Sequence, residues 1–241
     1  MGDRASFDSP RAKERHVRGM FDAIAPRYDL LNRVLSANMD QRWRRAAARA
    51  AVGTRSGPYL DVGAGTGDLT LALAREAPAA RVVALDLARH MLERAPRKRG
   101  WDPARLALVH ASGLRIPAPD ATFEGITNAF VLRNLADLDA FFAEAHRALR
   151  PGGRLVSLEI SRPPGRVFGP LYRVYFYKVM PRIGRVLSGD PGAYAYLADS
   201  VARVETPDQL VARMRRAGFA EVAARPMFRG AVVLFEARKA V

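Results

Sequence analysis

The 241-residue sequence predicts an α/β fold, in which helices cover both faces of a mostly parallel β-sheet that ends in an antiparallel pair of strands. Through the first two thirds of the chain, short apolar runs alternate with helical patterns. This alternation favours parallel strands joined by right-handed crossovers. The last two predicted strands are linked only by Phe228-Arg-Gly230. So short a link permits only antiparallel pairing.

The elements follow in order along the chain. Strands are predicted at 58–63, 81–87, 106–111, 123–130, 154–160, 221–227 and 231–238. Core helices are predicted at 68–76, 88–99, 138–149 and 207–217. The third of these helices ends at Arg150-Pro-Gly-Gly153, a turn that cannot continue a helix. Two further segments, a mostly helical one at 17–51 and one rich in Tyr, Arg and Pro at 162–204, are expected to cover a ligand cleft. We expect residues 1–241 to form one domain.

The composition excludes several classes of protein. The chain has no Cys, which excludes a disulfide framework, thiolate zinc sites and a cysteine nucleophile. No stretch approaches the roughly 18 apolar residues of a membrane span, and residues 1–13 lack the apolar core of a signal peptide. We therefore expect a soluble, cytoplasmic protein. The net charge of +15 leaves a nucleic-acid or anionic membrane partner open. However, only four of the 39 basic residues are Lys, and such an excess of Arg is typical of codon bias in a GC-rich genome.

A glycine loop follows the first predicted strand, in the run Asp61-Val-Gly-Ala-Gly-Thr-Gly-Asp68. Gly63, Gly65 and Gly67 do not have the G-x-G-x-x-G spacing of a dinucleotide site, in which a pyrophosphate lies on the helix N-terminus. The carboxylates that flank the loop would repel a pyrophosphate. They suit a ligand that carries an ammonium and a sulfonium. The loop, with Asp61 before it, therefore predicts S-adenosylmethionine as the cofactor, and no metal is expected.

Residues near the loop complete the predicted cofactor site. Thr66 offers a hydroxyl and backbone N–H groups to the ligand carboxylate. Asp86, at the end of the second strand, is expected to accept hydrogen bonds from both ribose hydroxyls. Alone, it would also fit a cap on the next helix. Ser112 and Gly113, after the third strand, are expected beside the adenine.

Three segments carry a resemblance to a known family and are more specific than the glycine loop: Arg27-Tyr-Asp-Leu-Leu-Asn32, Leu132-Arg-Asn-Leu135 and Tyr194-Ala-Tyr-Leu197. On these segments, and nearly end to end, the chain resembles the ubiquinone/menaquinone biosynthesis C-methyltransferases. The resemblance implies a Rossmann-like class I methyltransferase fold. It also implies S-adenosylmethionine as methyl donor and the ring of a lipid-soluble, polyprenylated quinol as acceptor, with demethylmenaquinol preferred.

The chain departs from the family pattern at several positions. Ser112 stands where the family usually has a carboxylate or an amide, and Val131 stands where it has Gly. Ala193 and Ala202 replace a usual Ser and Arg. These departures leave the acceptor open between demethylmenaquinol, a benzoquinol precursor and another small phenolic or natural-product molecule.

Arg133 and Asn134 are the predicted catalytic residues, because they follow the fourth strand at the carboxyl edge of the sheet. Methylation of a quinol carbon needs an electron-rich ring, and therefore loss of a phenolic proton. Arg133 stays protonated at neutral pH, so it would stabilise a developing phenolate and hold a water that accepts the proton. Asn134 would orient the ring oxygen. In the alternative reading, Arg133 only pairs with Asp137 or Asp139.

Tyr28, Tyr194 and Tyr196 are candidates to line the acceptor pocket. The segment Phe168–Arg185 mixes aromatic residues with Arg173, Lys178, Arg182 and Arg185, and is a candidate tail channel and peripheral membrane contact. The alternative is a cleft cover with solvated charges. A nucleic-acid substrate is not expected, because Asn128-Ala-Phe130 lacks the Asn/Asp-Pro-Pro-aromatic run that grips a flipped base.

Overall fold

The computed structural model describes Phe7 and residues 9–53, 57–180, 182, 196, 200–201 and 204–241. The strands in these ranges are β1 (Tyr59–Val62), β2 (Val82–Asp86), β3 (Leu106–His110), β4 (Phe123–Ala129), β5 (Leu149–Ile160), β6 (Phe219–Met227) and β7 (Val232–Lys239).

Eight α-helices lie in the same described ranges: α1 (Pro10–Ile24), α2 (Tyr28–Leu35), α3 (Met39–Ala51), α4 (Asp68–Glu76), α5 (Arg89–Leu92), α6 (Leu138–Ala148), α7 (Phe168–Val174) and α8 (Pro207–Arg216). Short 3₁₀ turns occupy Ala25–Arg27, Ala95–Arg97, Leu132–Asn134 and Phe228–Gly230, and a π-helical turn, Tyr175–Val179, continues α7. No helix in the described part of the chain is long and apolar enough to cross a membrane.

The strands form one sheet in the order β3-β2-β1-β4-β5-β7-β6. β1 to β5 pair in parallel, and β7 inserts antiparallel between β5 and β6. This arrangement confirms the predicted fold class. The strand order reverses between β1 and β4, so the loops that follow these two strands diverge and open a crevice at the carboxyl edge of the sheet.

Two predicted elements differ from the structure. The helix expected at 88–99 is only α5 and the 3₁₀ turn that follows, because Pro96 lacks an N–H and its ring clashes with the helical carbonyl of Leu92. The strand expected at 154–160 begins earlier, at Leu149. Its pairing with β4 jumps between Leu149 and Arg154, so the predicted turn lies inside the strand as an irregularity.

Helices pack on both faces of the sheet. Phe141 and Phe142 of α6 pack on one face with Leu210 and Met214 of α8. The Ala-rich side of α3 and the leucines of α4 pack on the other. The helical cover predicted at 17–51 begins earlier, at Pro10, where the Ser9 hydroxyl accepts a hydrogen bond from the Ala12 N–H and caps α1. No residue of α1 is fully buried, so this helix lies over the core and does not belong to it.

Candidate active site

Two cavities adjoin at the carboxyl edge of the parallel strands. The smaller, which we call the cofactor cleft, has a volume of about 90 Å³. Its lining includes Glu14, Val17, Gly63, Gly65, Asp86, Met91, Ser112, Gly113 and Val131. Ligand pockets usually enclose about 300 Å³ or more, so the side chains over the cleft must separate to admit a cofactor.

The larger cavity, which we call the acceptor cavity, has a volume of about 740 Å³. Its walls are mostly apolar and include Met20, Ile24, Leu31, Trp43, Ile160, Phe168, Phe176 and Met180. Phe21, Tyr28, Phe130 and Asn134 line both cavities. A group transferred from one cavity to the other therefore passes these four residues.

The glycine loop after β1 follows a backbone path that favours glycine. Gly63, Gly65 and Gly67 have φ angles of 66°, 56° and 82°, in the left-handed region. A Cβ on Gly63 would lie 2.5 Å from Val131 Cγ2, so the valine that replaces the family glycine packs directly on the loop. Val131 therefore takes up space at the edge of the cleft.

Asp86 ends β2 beside the loop, in the predicted position. Its carboxylate accepts hydrogen bonds from the Gly65 and Ala88 N–H groups, both at 2.7 Å. Burial raises the pKa of Asp86, and these backbone hydrogen bonds partly oppose that rise. The side chain holds the turn that precedes α5 and lines the cleft, and its contact with the ribose hydroxyls stays a prediction.

Asp61 lies beneath the loop and is fully buried. Its carboxylate accepts hydrogen bonds from the Thr70 hydroxyl at 2.7 Å and the Thr127 hydroxyl at 3.1 Å. Burial raises the pKa of Asp61 to about 7. The predicted cofactor contact of Asp61 stays a prediction, because in this structure the side chain supports the loop from inside the core.

Thr66 belongs to a polar network that ties the loop to α2. Its hydroxyl donates to Asp29 at 2.5 Å and accepts from Lys98 Nζ at 2.8 Å. Lys98 also pairs with the second Asp29 oxygen at 2.8 Å and with Asp68. The sequence reading missed Lys98, which follows a proline-interrupted helix. Its charge lies beside the hydroxyl predicted to meet the ligand carboxylate.

Ser112 and Gly113 lie in the cleft after β3, as predicted. The Ser112 hydroxyl donates to Glu14 Oε1 at 2.6 Å and accepts from the Leu114 N–H at 3.2 Å. A Cβ on Gly113 would lie 2.6 Å from Val62 Cγ1, so only glycine lets this segment lie so close to β1. Glu14 was missed because it is far from Ser112 in sequence and belongs to a helix with no motif.

Arg133 lies in the 3₁₀ turn after β4 and pairs with an unexpected partner. One of its guanidinium nitrogens, Nη1, donates to Glu159 at 2.6 Å and to the Phe130 carbonyl at 2.7 Å. The Arg133 backbone N–H donates to the second Glu159 oxygen at 3.2 Å. Glu159 is the second-last residue of β5 and is 1% exposed. This pair is a buried, charge-assisted contact, which fixes the arginine at the boundary of the acceptor cavity.

The alternative partners considered for Arg133 are wrong. Asp137 accepts a hydrogen bond from the Ala140 N–H and caps α6. Asp139 pairs with Arg213 of α8, and the guanidinium keeps the pKa of Asp139 below its usual value. Both carboxylates are engaged on the far side of the turn, where α6 meets α8.

Two amide groups in the acceptor cavity lack partners within the described residues. Asn134 Nδ2 donates to the Phe130 carbonyl at 3.2 Å, but the buried Asn134 Oδ1 accepts no hydrogen bond. The buried Asn32 Nδ2 likewise finds no acceptor in the described part of the chain. Unpaired buried polar atoms are costly, so such atoms in a cavity indicate ligand contacts. Arg133 Nε is likewise buried without an acceptor in the described residues, so the unpaired polar atoms of the residues that line this cavity are one acceptor and two donors.

The predicted tyrosines fall in three places. Tyr28 lines both cavities, and Tyr196 is buried in the wall of the acceptor cavity, where its ring lies 5.4 Å from that of His16. Tyr194 lies outside the described residues. The sequence reading missed Tyr172, which stacks on Phe176 in the same wall at 5.5 Å.

The mouth of the acceptor cavity carries exposed apolar side chains from α2, α7 and the turn before β7. They are Val34, Leu171, Val174, Val179 and Phe228, and their exposed fractions run from 39% to 64%. Of the four basic residues predicted in this segment, Arg173, Lys178 and Arg182 are exposed. Arg185 lies outside the described residues.

The cofactor cleft fits S-adenosylmethionine better than a dinucleotide. None of the described residues that line it is basic, whereas Glu14 and Asp86 bring two carboxylates. Carboxylates accept hydrogen bonds from ribose hydroxyls and amino groups and favour a cationic ligand. In the described part of the chain, no group of three or more His, Cys, Asp or Glu side chains could hold a metal ion.

Solved structures share the fold at low sequence identity. A SAM-dependent methyltransferase from Thermotoga maritima superposes with a TM-score of 0.65 at 20% identity, over 93% of this chain and all of the other. The [4+2]-cyclase SpnF superposes with a TM-score of 0.68 at 17% identity, over the full length of both chains. Since a cyclase also has this fold, the fold alone does not decide the chemistry.

Sequence relatives are much closer. A demethylmenaquinone methyltransferase from Deinococcus radiodurans is 45% identical over 217 residues, which cover 90% of each chain. A demethylmenaquinone methyltransferase from Thermus thermophilus is 47% identical over 200 residues, 83% of this chain and 91% of the relative. The ubiquinone/menaquinone biosynthesis C-methyltransferase UbiE of Geobacter sulfurreducens is 39% identical over 94% of this chain and 90% of its own.

The family model of the same proteins matches residues 10–239, which span both cavities and every strand of the sheet. The chain therefore belongs to the ubiE/COQ5 methyltransferase family.

Proposed function

We propose that this protein transfers a methyl group from S-adenosylmethionine to a ring carbon of a polyprenylated quinol, with demethylmenaquinol as the acceptor. The observation that carries the proposal is the acceptor cavity. It is large and mostly apolar, it adjoins the cofactor cleft, and it holds the unpartnered Asn134 Oδ1 and Asn32 Nδ2. A hydroquinone ring carries two hydroxyls, each able to donate and accept, inside an otherwise apolar body.

The cleft residues would hold the cofactor as follows. Asp86 would accept from the ribose hydroxyls, and Ser112 and Gly113 would lie beside the adenine. Thr66, which belongs to the loop but not to the described lining of the cleft, would offer its backbone N–H to the methionine carboxylate. The bound cofactor supplies a methyl group on a sulfonium, an electrophile that an electron-rich ring carbon attacks.

Arg133 would act on the acceptor side. Its guanidinium cannot serve as a base, but it can hold a water that accepts the phenolic proton and can stabilise the negative charge that grows on the ring oxygen as that proton leaves. Glu159 holds that guanidinium in place. Asn134 Oδ1 would accept a hydrogen bond from one ring hydroxyl, and Asn32 Nδ2 would donate a hydrogen bond to the other ring oxygen. Both contacts orient the ring, and orientation is a large part of such a rate enhancement.

The exposed apolar mouth suggests where the acceptor enters. A polyprenyl tail is insoluble in water, so the quinol must come from a lipid bilayer. Leu171 and Val174 would rest on the bilayer surface, while Arg173, Lys178 and Arg182 would meet anionic headgroups. We therefore propose a cytoplasmic protein with peripheral contact at the membrane.

A methyl-transfer assay tests the proposal. Purified protein receives isotope-labelled S-adenosylmethionine and one of three acceptors: reduced demethylmenaquinone in detergent micelles, its oxidised form, or a tail-less phenol. We expect labelled menaquinol from the reduced, tailed acceptor only, because the oxidised ring lacks a phenolic proton to lose. Methylation of the small phenol with none of the quinol would contradict the proposal. A benzoquinol precursor in a fourth reaction distinguishes the two quinol rings.

A further inference from the structure

Glu14 reaches the cofactor cleft from α1 and ends beside the part of the sheet edge that follows β3. Its Oε1 accepts a hydrogen bond from the Ser112 hydroxyl at 2.6 Å. Within the described residues, the second carboxylate oxygen makes no hydrogen bond. A partly buried carboxylate that lines a ligand cleft with a spare oxygen is a ready acceptor for a donor on the ligand.

The position of Glu14 is held by its neighbour in sequence. Lys13 Nζ donates to the Leu135 carbonyl at 2.5 Å and to the Arg133 carbonyl at 3.3 Å, on the segment after β4. α1 is therefore tied to the sheet edge on both sides of the cleft, by Lys13 after β4 and by Glu14 after β3. The Glu14 carboxylate is thereby kept over the cleft.

The register of the sheet indicates which part of the cofactor Glu14 would meet. Asp86 pairs with His110 across β2 and β3, so a ribose held at Asp86 directs its base toward the residues after His110. Those residues are Ser112 and Gly113, and Glu14 lies against Ser112. Adenine presents an exocyclic amino group, which is a donor. In this structure the Ser112 hydroxyl donates to Glu14 Oε1. The adenine amino group could donate to the other oxygen of the carboxylate, or to Oε1 in place of Ser112.

We propose that Glu14 is a cofactor-specificity residue, whose carboxylate accepts a hydrogen bond from the exocyclic amino group of the adenine. This inference rests on the proposed function, because it takes S-adenosylmethionine as the cofactor. A 6-hydroxypurine presents a carbonyl in place of the amino group, and the carboxylate would repel it.

The test compares binding of two nucleosides without any methyl transfer. S-adenosylhomocysteine and S-inosylhomocysteine, which differ at this ring position, are titrated calorimetrically into the wild type, Glu14→Ala, Glu14→Gln and Ser112→Ala. Arg15→Ala, an exposed residue of the same helix that lies about 100° around its axis from Glu14, is the matched control. A hydrogen bond to a charged group is worth about 10- to 100-fold in affinity. We expect the wild type and the control to prefer the adenine compound by this factor.

In Glu14→Ala, we expect binding of the adenine compound to weaken by about 10-fold or more, while the inosine compound, relieved of the repulsion, binds as tightly as before or more tightly, so that the preference disappears. Glu14→Gln keeps the size of the side chain and should reduce the preference even if the alanine variant does not fold. Ser112→Ala should retain the preference. An equal loss of both nucleosides in the Glu14 variants, or no change in either, would overturn the inference and leave Glu14 a structural tie. If the wild type binds neither nucleoside, the proposed function itself fails.

Discussion

The cofactor cleft and the acceptor cavity are neighbours, yet they are built in opposite ways. The cleft is formed mainly by short loops at the ends of β1 to β4 under α1, and several of its hydrogen bonds involve backbone groups, such as the Gly65 N–H on Asp86. The acceptor cavity is formed by side chains of α1 to α3, α7 and the turn before β7, and is largely apolar. Backbone geometry thus defines most of the first site, to which α1 adds Glu14, whereas packing between distant segments defines the second.

This difference separates binding from chemistry. Changes in the cleft should alter affinity for the nucleoside, whereas changes at the boundary of the acceptor cavity should alter turnover. The residues that line both cavities, such as Tyr28 and Asn134, connect the two effects.

The largest effect is expected for Arg133→Lys. Lysine keeps the charge near Glu159 but loses the planar fork, so a growing phenolate loses a fixed donor. Removal of one such donor typically lowers turnover by 10²- to 10³-fold, and we expect about 10³-fold here. Affinity for S-adenosylhomocysteine should not change. The control is Arg147→Lys, a partly exposed arginine in a surface ion pair. Normal turnover with unchanged cofactor affinity would show that Arg133 has no catalytic role.

Asp86→Ala should produce the next largest effect, on binding. The substitution removes the acceptor predicted for the ribose hydroxyls and the partner of the Gly65 N–H. We expect about 100-fold weaker binding of S-adenosylhomocysteine, measured by calorimetry. Asp102→Ala, which removes a carboxylate that caps a surface turn, should leave binding as it is. If Asp86→Ala binds S-adenosylhomocysteine with wild-type affinity, Asp86 does not contact the ribose.

Asp61 should make stability depend on pH. Its pKa is raised by burial to about 7, whereas the unfolded chain has an ordinary Asp pKa near ~3.9. The folded protein therefore binds the extra proton, and the free energy of unfolding should fall as pH rises through 7. The expected loss between pH 6 and pH 8 is about 1.4 kcal/mol.

Urea unfolding of the wild type and of Asp61→Asn at several pH values measures this contribution of Asp61 to the free energy of unfolding. The asparagine stays neutral and can still accept from Thr70 and Thr127, so the variant should gain stability relative to the wild type between pH 6 and pH 8. Parallel pH profiles for the two proteins would refute the raised pKa.

The smallest effect is expected at the mouth of the acceptor cavity. Leu171→Ser combined with Val174→Ser removes two exposed apolar side chains without touching the described walls of the cleft. We expect about 3- to 5-fold weaker co-sedimentation with vesicles that contain anionic lipid, and no change in nucleoside affinity. Leu108→Ser, an exposed apolar residue on β3, is the control. Sedimentation that depends on neither salt nor anionic lipid would argue against membrane contact.

Particular residues illustrate how far sequence reasoning reached. Asp86 lies at the end of one predicted strand and Ser112 follows another. Their place at the carboxyl edge could therefore be inferred from the common direction of the parallel strands. Glu159 also lies near the end of a strand, but nothing in the sequence pairs it with Arg133, and the two nearer acids, Asp137 and Asp139, were considered in its place. Proximity along the chain was misleading there, because the turn after β4 directs Arg133 toward β5 and away from α6.

The sequence by itself determined the α/β fold with parallel strands and a terminal antiparallel pair, the glycine loop and the family, because each depends on local periodicity or on a contiguous motif. The order of the strands came only from the structure. The tertiary structure decided which side chains meet across the two cavities. Glu14 reaches Ser112, Lys98 reaches Thr66, and Asn32 joins Asn134 in one cavity. These contacts join segments far apart in sequence. They follow from how the helical cover packs on the sheet, and no local pattern encodes that packing.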